Sequence, residues 1–181
     1  MAISMGLRYP QRVRSLVLIG GFSEIDTIIE RNFWLRIAMI DKLGMSDELG
    51  AFVSMWIMSH RFLDTDLGKR TAQATVDNIR TNDPETYKSL CRSVLRWGRR
   101  LPGQEAELTI TSQLASLSMP VLALTGTSDH FIPATFSRLI ADRVPNGQYQ
   151  EIADCGHIPV LEKPAETVAA IQSYLSSRVI A

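Results

Sequence analysis

Two short, almost unbroken apolar runs, far apart in the chain, set the terms for its fold. The first is Val13-Arg14-Ser15-Leu16-Val17-Leu18-Ile19, closed by Gly20-Gly21. The second is Pro120-Val121-Leu122-Ala123-Leu124-Thr125-Gly126. A strand with one face in water alternates polar and apolar residues, whereas a strand buried on both faces of a parallel sheet reads as continuous. A third run, Gln148-Tyr149-Gln150-Glu151-Ile152, is more polar and alternates, as suits an edge strand. The expectation is an α/β chain with about three parallel strands and flanking helices.

Residues 23–113, between the first two strands, are helical in pattern. Ile25, Ile28, Ile29, Ile37 and Ile40 recur at helical intervals in a segment ending near Gly44. Ser46, with Asp47 and Glu48, caps the next, which carries Phe52, Val53, Met55, Trp56, Ile57 and Met58. A third helix is predicted from about Asp64 to Arg80, and Asp83-Pro84-Glu85 opens a fourth. No fold rule needs so long a crossover, so this stretch is expected to be a helical cap over a site, with the core in 1–22 and 114–181. Met1 to Tyr9 patterns as the last turns of a helix stopped at Pro10. Pro133 starts a helix with Phe136, Leu139 and Ile140 on one face. Pro164 starts another, with Val168, Ile171 and Leu175 at helical spacing.

Composition excludes several classes of function. Nineteen basic residues balance nineteen acidic ones, so nothing favours nucleic acid or an anionic membrane surface. No apolar run is long enough to span a bilayer. Cys91 and Cys155 form no metal-ligand spacing and read as reduced thiols of a cytoplasmic protein. No metal or organic cofactor is expected. The amino terminus is too short and wrongly ordered for a signal peptide, and reads as the middle of a longer fold.

The chemistry points to the loop Ala153-Asp154-Cys155-Gly156-His157-Ile158-Pro159. His157 stands just past a strand's carboxyl end, where open α/β sheets place their chemistry, and histidine exchanges protons near neutrality. Upstream, Gly126-Thr127-Ser128-Asp129-His130-Phe131-Ile132-Pro133 repeats the arrangement and offers a carboxylate. A carboxylate that fixes an imidazole approaches from a separate loop, which favours Asp129 over Asp154 as the partner of His157. His130 is assigned to the surface, and His60 to the carboxyl end of a helix, facing its dipole. Phe22, Trp56 and Phe131 are the candidate substrate-binding side chains. For Trp56, with Phe52, Met55 and Met58, packing inside the helical segment is the competing reading. Arg92, Arg96, Arg99 and Arg100 around Trp97 read as a solvated helix end in preference to an anion site.

These motifs resemble the carboxyl-terminal part of an α/β-hydrolase-fold enzyme of the lipase, esterase and enol-lactonase type. Leu7-Arg8-Tyr9-Pro10-Gln11-Arg12-Val13 with Leu16-Val17-Leu18-Ile19 is similar to the helix end and strand that follow the family's nucleophile helix. Gly126 to Pro133 resembles the loop of the triad acid, which maps onto Asp129. Gly156-His157 with Pro159, Glu162 and Pro164 resembles the loop of the triad histidine, which maps onto His157. The resemblance covers essentially the whole chain, and it implies hydrolysis of an ester, lactone or related acyl bond. The family's Gly-x-Ser-x-Gly elbow does not occur in this sequence. Ala2-Ile3-Ser4-Met5-Gly6 has a Ser-x-Gly core, but Ser4 lacks a preceding strand and Pro10 follows too soon, so it is dismissed as nucleophile.

The expected partner is therefore a small, partly apolar acyl substrate. A truncated frame, an amino-terminal segment completing the sheet along the Val13–Ile19 strand, or a second copy paired there are the three structural expectations. A chain of this kind should be inactive without a nucleophile-bearing part. Two other readings stay open. One is a non-catalytic, hydrolase-like binding or interaction module. The other is the corresponding part of a carbon–carbon hydrolase, or, with an aspartate nucleophile, of an epoxide hydrolase or dehalogenase.

Overall fold

The computed structural model describes residues 1–98 and 109–177. Both continuous runs and the alternating one become strands of a single parallel sheet: β1 Leu16–Ile19, β2 Val121–Gly126 and β3 Gly147–Ile152, in the order β1-β2-β3. Leu16 stands opposite Val121 and Ile19 opposite Leu124, while Val121 stands opposite Gly147 and Gly126 opposite Ile152. The central strand is buried at every residue, as its sequence requires. β3 has mostly exposed or half-buried residues and forms one edge. β1, at the other edge, is shorter than its apolar run. Pro10–Arg12 forms a 3-10 turn, Val13 closes it, and pairing begins only at Leu16.

The pleat sorts the strand side chains onto two faces. Leu16, Leu18 and Val121 pack with Ile3 of α1 (Ala2–Arg8) and with Ile140 of α8 (Ala134–Arg143). Leu122, Leu124 and Ile152 pack on the opposite face against α10 (Pro164–Ser176). α10 begins at Pro164 as predicted but turns a different face inward. Thr167, Ala170 and Tyr174 are buried, while Val168 and Leu175 are 52% and 42% exposed. Small Ala170 lets the helix approach the sheet, and the Tyr174 ring fills the space beside it. Apolar spacing alone ranked Val168 and Leu175 above both.

The intervening helices are α2 (Thr27–Leu43), α3 (Asp47–Ile57), α4 (His60–Leu63), α5 (Asp66–Arg80) and α6 (Pro84–Gly98). Their starts follow local chemistry. Asp26, Ser46, Ser59 and Thr65 each accept a backbone N–H three residues on, and the Asp83 carboxylate accepts from Thr86. The predicted Asp64–Arg80 helix starts two residues later, because Thr65 caps it, and a separate turn precedes it. Ile40, Leu49, Val53 and Ile79 hold α2, α3 and α5 together. Ile29, Phe33 and Ile37 of α2 pack with Cys91 and Leu95 of α6, and with Phe131 and Ile132 from the loop after β2. That last cluster joins the helical segment to the sheet's carboxyl edge. Ile110–Gln113 forms the short α7, and Pro159–Glu162 forms α9. Among the described residues no helix is long and apolar enough to cross a membrane.

Candidate active site

β2 ends at Gly126, and the chain then turns back on itself: Asp129 N–H donates to the Gly126 carbonyl at 3.2 Å. This loop is stitched to the one after β3. Thr127 N–H donates to the Ile152 carbonyl at 3.0 Å and Ser128 N–H to the Cys155 carbonyl at 2.8 Å. The two loops are therefore held side by side at the carboxyl end of the sheet. Asp129 uses both carboxylate oxygens there. Oδ1 accepts from the N–H groups of Phe131 at 3.0 Å and Ile132 at 2.8 Å. Oδ2 lies 2.8 Å from His157 Nδ1. The Asp129 side chain is fully buried and that of His157 is 20% exposed.

An ionised carboxylate only accepts, so it selects the tautomer with the proton on Nδ1 and the lone pair on Nε2. Nothing among the described residues hydrogen-bonds Nε2. The imidazole is fixed on its other sides. The Phe131 ring meets it edge-on, 5.1 Å between centroids at 87°. His157 N–H donates to the Ile57 carbonyl at 2.9 Å, so the end of α3 holds this residue's backbone. Gly20, just past β1, has φ +56°, and a β-carbon there would run into the ring.

A further brace joins the same loop to the helical segment. Glu162 Oε1 accepts from Ser59 N–H at 2.9 Å, and Oε2 accepts from Ser59 Oγ at 2.6 Å and Gly156 N–H at 3.1 Å. Sequence reasoning assigned no role to Ser59, Gly20 or the Ile57 carbonyl. Glu162 entered only as part of a motif. A Gly-Gly pair closing a strand was the one available signal for Gly20.

The competing carboxylate, Asp154, lies outside this arrangement. It has φ 51°, its N–H donates to Thr127 Oγ1, and its carboxylate pairs with Arg61 at 3.0 Å, both exposed. His130 is exposed and packs at a tilt against His60, 5.2 Å between centroids at 51°. His60 opens α4 instead of closing a helix, so the expected dipole contact is corrected: Ser59 caps a new turn there, accepting from Phe62 N–H at 3.2 Å. Cys155 sits two residues before His157 but is fully buried, and burial, reinforced by Glu162, pushes its thiol up to about 12. It is no nucleophile at neutral pH.

An open cleft of about 920 Å³ runs beside β1 and Gly20, between α1 and α6. Phe22 lines it and meets Trp97 edge-on at 5.4 Å. Ser4 lines it too, and makes no hydrogen bond to His157. Trp56 and Phe131 do not line this cleft. Trp56 is half-buried against Phe52, and Phe131 is buried against His157 and Phe33. Arg92 and Arg96 are exposed on α6, while Arg99 and Arg100 lie outside the described residues. Among the described residues no cluster of His, Cys, Asp and Glu could hold a metal ion.

Comparison with known proteins points to one fold. A family model described as the alpha/beta hydrolase fold matches residues 1–164. The chain is 23% identical over 174 residues to a putative carbamate hydrolase, RutD, of Caulobacter sp. strain K31, covering 96% of this chain and 60% of that protein. It is 20% identical over 176 residues to 3-oxoadipate enol-lactonase 1 of Acinetobacter baylyi, covering 97% of this chain and 60% of the relative. In structure it is similar to the putative non-heme bromoperoxidase BpoC of Mycobacterium tuberculosis H37Rv. The TM-score is 0.81 at 19% identity, over 98% of this chain and 63% of that one. The chain thus spans about 60% of the length of these curated relatives.

Proposed function

The chain belongs to the α/β-hydrolase-fold family, and from that premise we propose that it supplies the proton-handling half of an acyl hydrolase. The substrate class is an ester, lactone, carbamate or related acyl compound, in keeping with the carbamate hydrolase and enol-lactonase it is similar to. The single observation that carries the reading is the 2.8 Å contact between His157 Nδ1 and the buried Asp129 carboxylate, with Nε2 unbonded by any described residue.

In the proposed mechanism Nε2 takes the proton of a nucleophilic hydroxyl as its oxygen attacks the acyl carbon. The imidazolium that forms is stabilised by Asp129, which stays ionised. Nε2 then returns the proton to the leaving group as the bond to it breaks. Water, deprotonated by the same nitrogen, releases the acyl group and regenerates the nucleophile. Residues 23–113 act as a cap, seated on the His157 loop through Ser59 and the Ile57 carbonyl. The hydroxyl is delivered on a strand that pairs along the free edge of β1, next to the cleft and Gly20. The free, buried thiols of Cys91 and Cys155 support the expected cytoplasmic setting.

The test is turnover of a short acyl ester by the chain alone and by the chain mixed with a nucleophile-bearing segment encoded upstream. The reading expects activity only in the mixture, lost by about two to four orders of magnitude in His157→Ala. Turnover by the chain alone that Ser4→Ala abolishes would overturn the choice of nucleophile. No turnover in either arm, with small-molecule binding retained, would favour the non-catalytic binding module.

A further inference from the structure

The interior holds a cation whose charge nothing among the described residues balances. Arg36, on α2, is 6% exposed, and Asn32, one turn earlier on the same face, is 3% exposed. Arg36 Nε donates to Asn32 Oδ1 at 2.8 Å and Nη1 donates to the Tyr87 hydroxyl at 3.3 Å. The guanidinium carbon lies 5.2 Å from the Phe33 ring centroid and 4.8 Å from that of Phe131. None of these partners is negative, and Arg36 has no ion pair among the described residues. Two donors remain: Arg36 Nη2 and Asn32 Nδ2 are fully buried and have no acceptor among the described residues.

Buried charges are paired and buried donors are bonded, and aromatic faces offset only part of the lost hydration. The group that would satisfy all of this is planar, singly negative and furnished with two acceptor oxygens. We propose that Arg36 and Asn32 form a subsite for the carboxylate of an anionic acyl substrate. Its location gives the substrate a shape. The Phe131 ring touches both groups: its centroid is 4.8 Å from the guanidinium carbon and 5.1 Å from the centroid of the His157 imidazole. A carboxylate on Arg36 therefore shares Phe131 as a neighbour with the proton-handling imidazole. The substrate class is an ester or lactone with a free carboxylate a few carbons from the acyl bond. The position of that bond rests on the hydrolase reading above, but binding of the carboxylate needs no turnover, so the two fail separately.

Calorimetric titration of the 181-residue chain with monomethyl glutarate, dimethyl glutarate and chloride tests this directly. The half-ester should bind about tenfold or more tighter than the neutral diester, and chloride should not compete with it. Arg36→Met should erase that preference, and Asn32→Leu should weaken half-ester binding about threefold or more. Equal affinity for the two esters, or unchanged preference in Arg36→Met, overturns the subsite. Chloride binding as tightly as the half-ester overturns the carboxylate assignment. If Arg36→Met does not fold by circular dichroism, Asn32→Leu decides: unchanged half-ester affinity there overturns the proposal, and the expected loss supports it.

Discussion

A β-carbon on Gly20 would lie 2.6 Å from both Cε1 and Nδ1 of His157, and 3.5 Å from Asp129 Oδ2. The end of β1 is thus the wall against which the imidazole is pressed onto its carboxylate. Positive φ at Gly20 adds a second reason for glycine, since a side chain is strained there whatever the space. Gly20→Ala should destabilise the chain by about 1–3 kcal/mol. It should also pull His157 away from Asp129. Urea unfolding reads the first effect, and loss of a hydrogen-bonded Nδ1 proton resonance reads the second. A variant with both features intact would mean that His157 has room the geometry denies it.

Glu162 is the point at which the helical segment is fastened to the histidine loop. Its carboxylate bonds Ser59 twice and Gly156 once. Charge-assisted bonds of this kind are worth more than neutral ones, and their loss strands partly buried donors. Glu162→Ala should cost about 2–4 kcal/mol, and Ser59→Ala about 1–2 kcal/mol, part of that from the lost α4 cap. A double-mutant cycle isolates the contact itself, and the coupling should exceed about 0.5 kcal/mol. Additivity of the two substitutions would show that the brace contributes nothing beyond each residue's own role.

Much of this arrangement was legible in the sequence because it rests on local rules. Continuous apolar runs marked β1 and β2, and Ser46, Asp83 and Pro164 marked helix starts through chemistry that acts within a few residues. Asp129 and His157 stood out because each followed a strand with turn-forming neighbours. What the sequence withheld depends on contacts across long separations. Val168 and Leu175 had the right spacing for a buried face, yet Thr167 and Tyr174 occupy it, because the shape of the sheet beneath decides. The Ser59–Glu162 brace spans 103 positions. Arg36, inside a helix of ordinary composition, shows its unbalanced burial only once Phe33, Tyr87 and Phe131 close around it.

Asp129→Asn separates shape from charge. The amide oxygen can still accept from Phe131 and Ile132 N–H, so the turn after β2 should survive at a cost of about 1–2 kcal/mol. The amide nitrogen would then face His157 Nδ1 and donate to it, moving the imidazole proton to Nε2. Nitrogen-15 chemical shifts of the ring report that exchange of tautomers directly. In the mixture that turns over ester, the wrong tautomer should lower the rate by about four orders of magnitude. An unchanged tautomer in the variant would indicate that the carboxylate does not set the state of the ring.

Alkaline pH should weaken the fold through Cys155. Its thiol is fully buried, and burial, followed by the nearby Glu162 charge, raises it from an ordinary 9.0 to about 12. Above pH 9 the unfolded chain loses this proton while the folded chain keeps it, so the unfolded state binds fewer protons and stability must fall as pH rises. The decline should begin near pH 9 and continue towards pH 12, at up to about 1.4 kcal/mol per pH unit from this one group. Tyr149, raised to about 12 chiefly by burial, adds to the fall only above its own ordinary value of 10.0. The Cys91 thiol, which burial also raises from 9.0, contributes in the same window, so urea midpoints from pH 8 to pH 10 are compared between the chain and Cys155→Ala. Cys155→Ala should lower stability at pH 8, where a buried side chain is lost, and flatten the slope above pH 9. An equally steep decline in that variant would assign the alkaline sensitivity to another group and leave Cys155 as ordinary core packing.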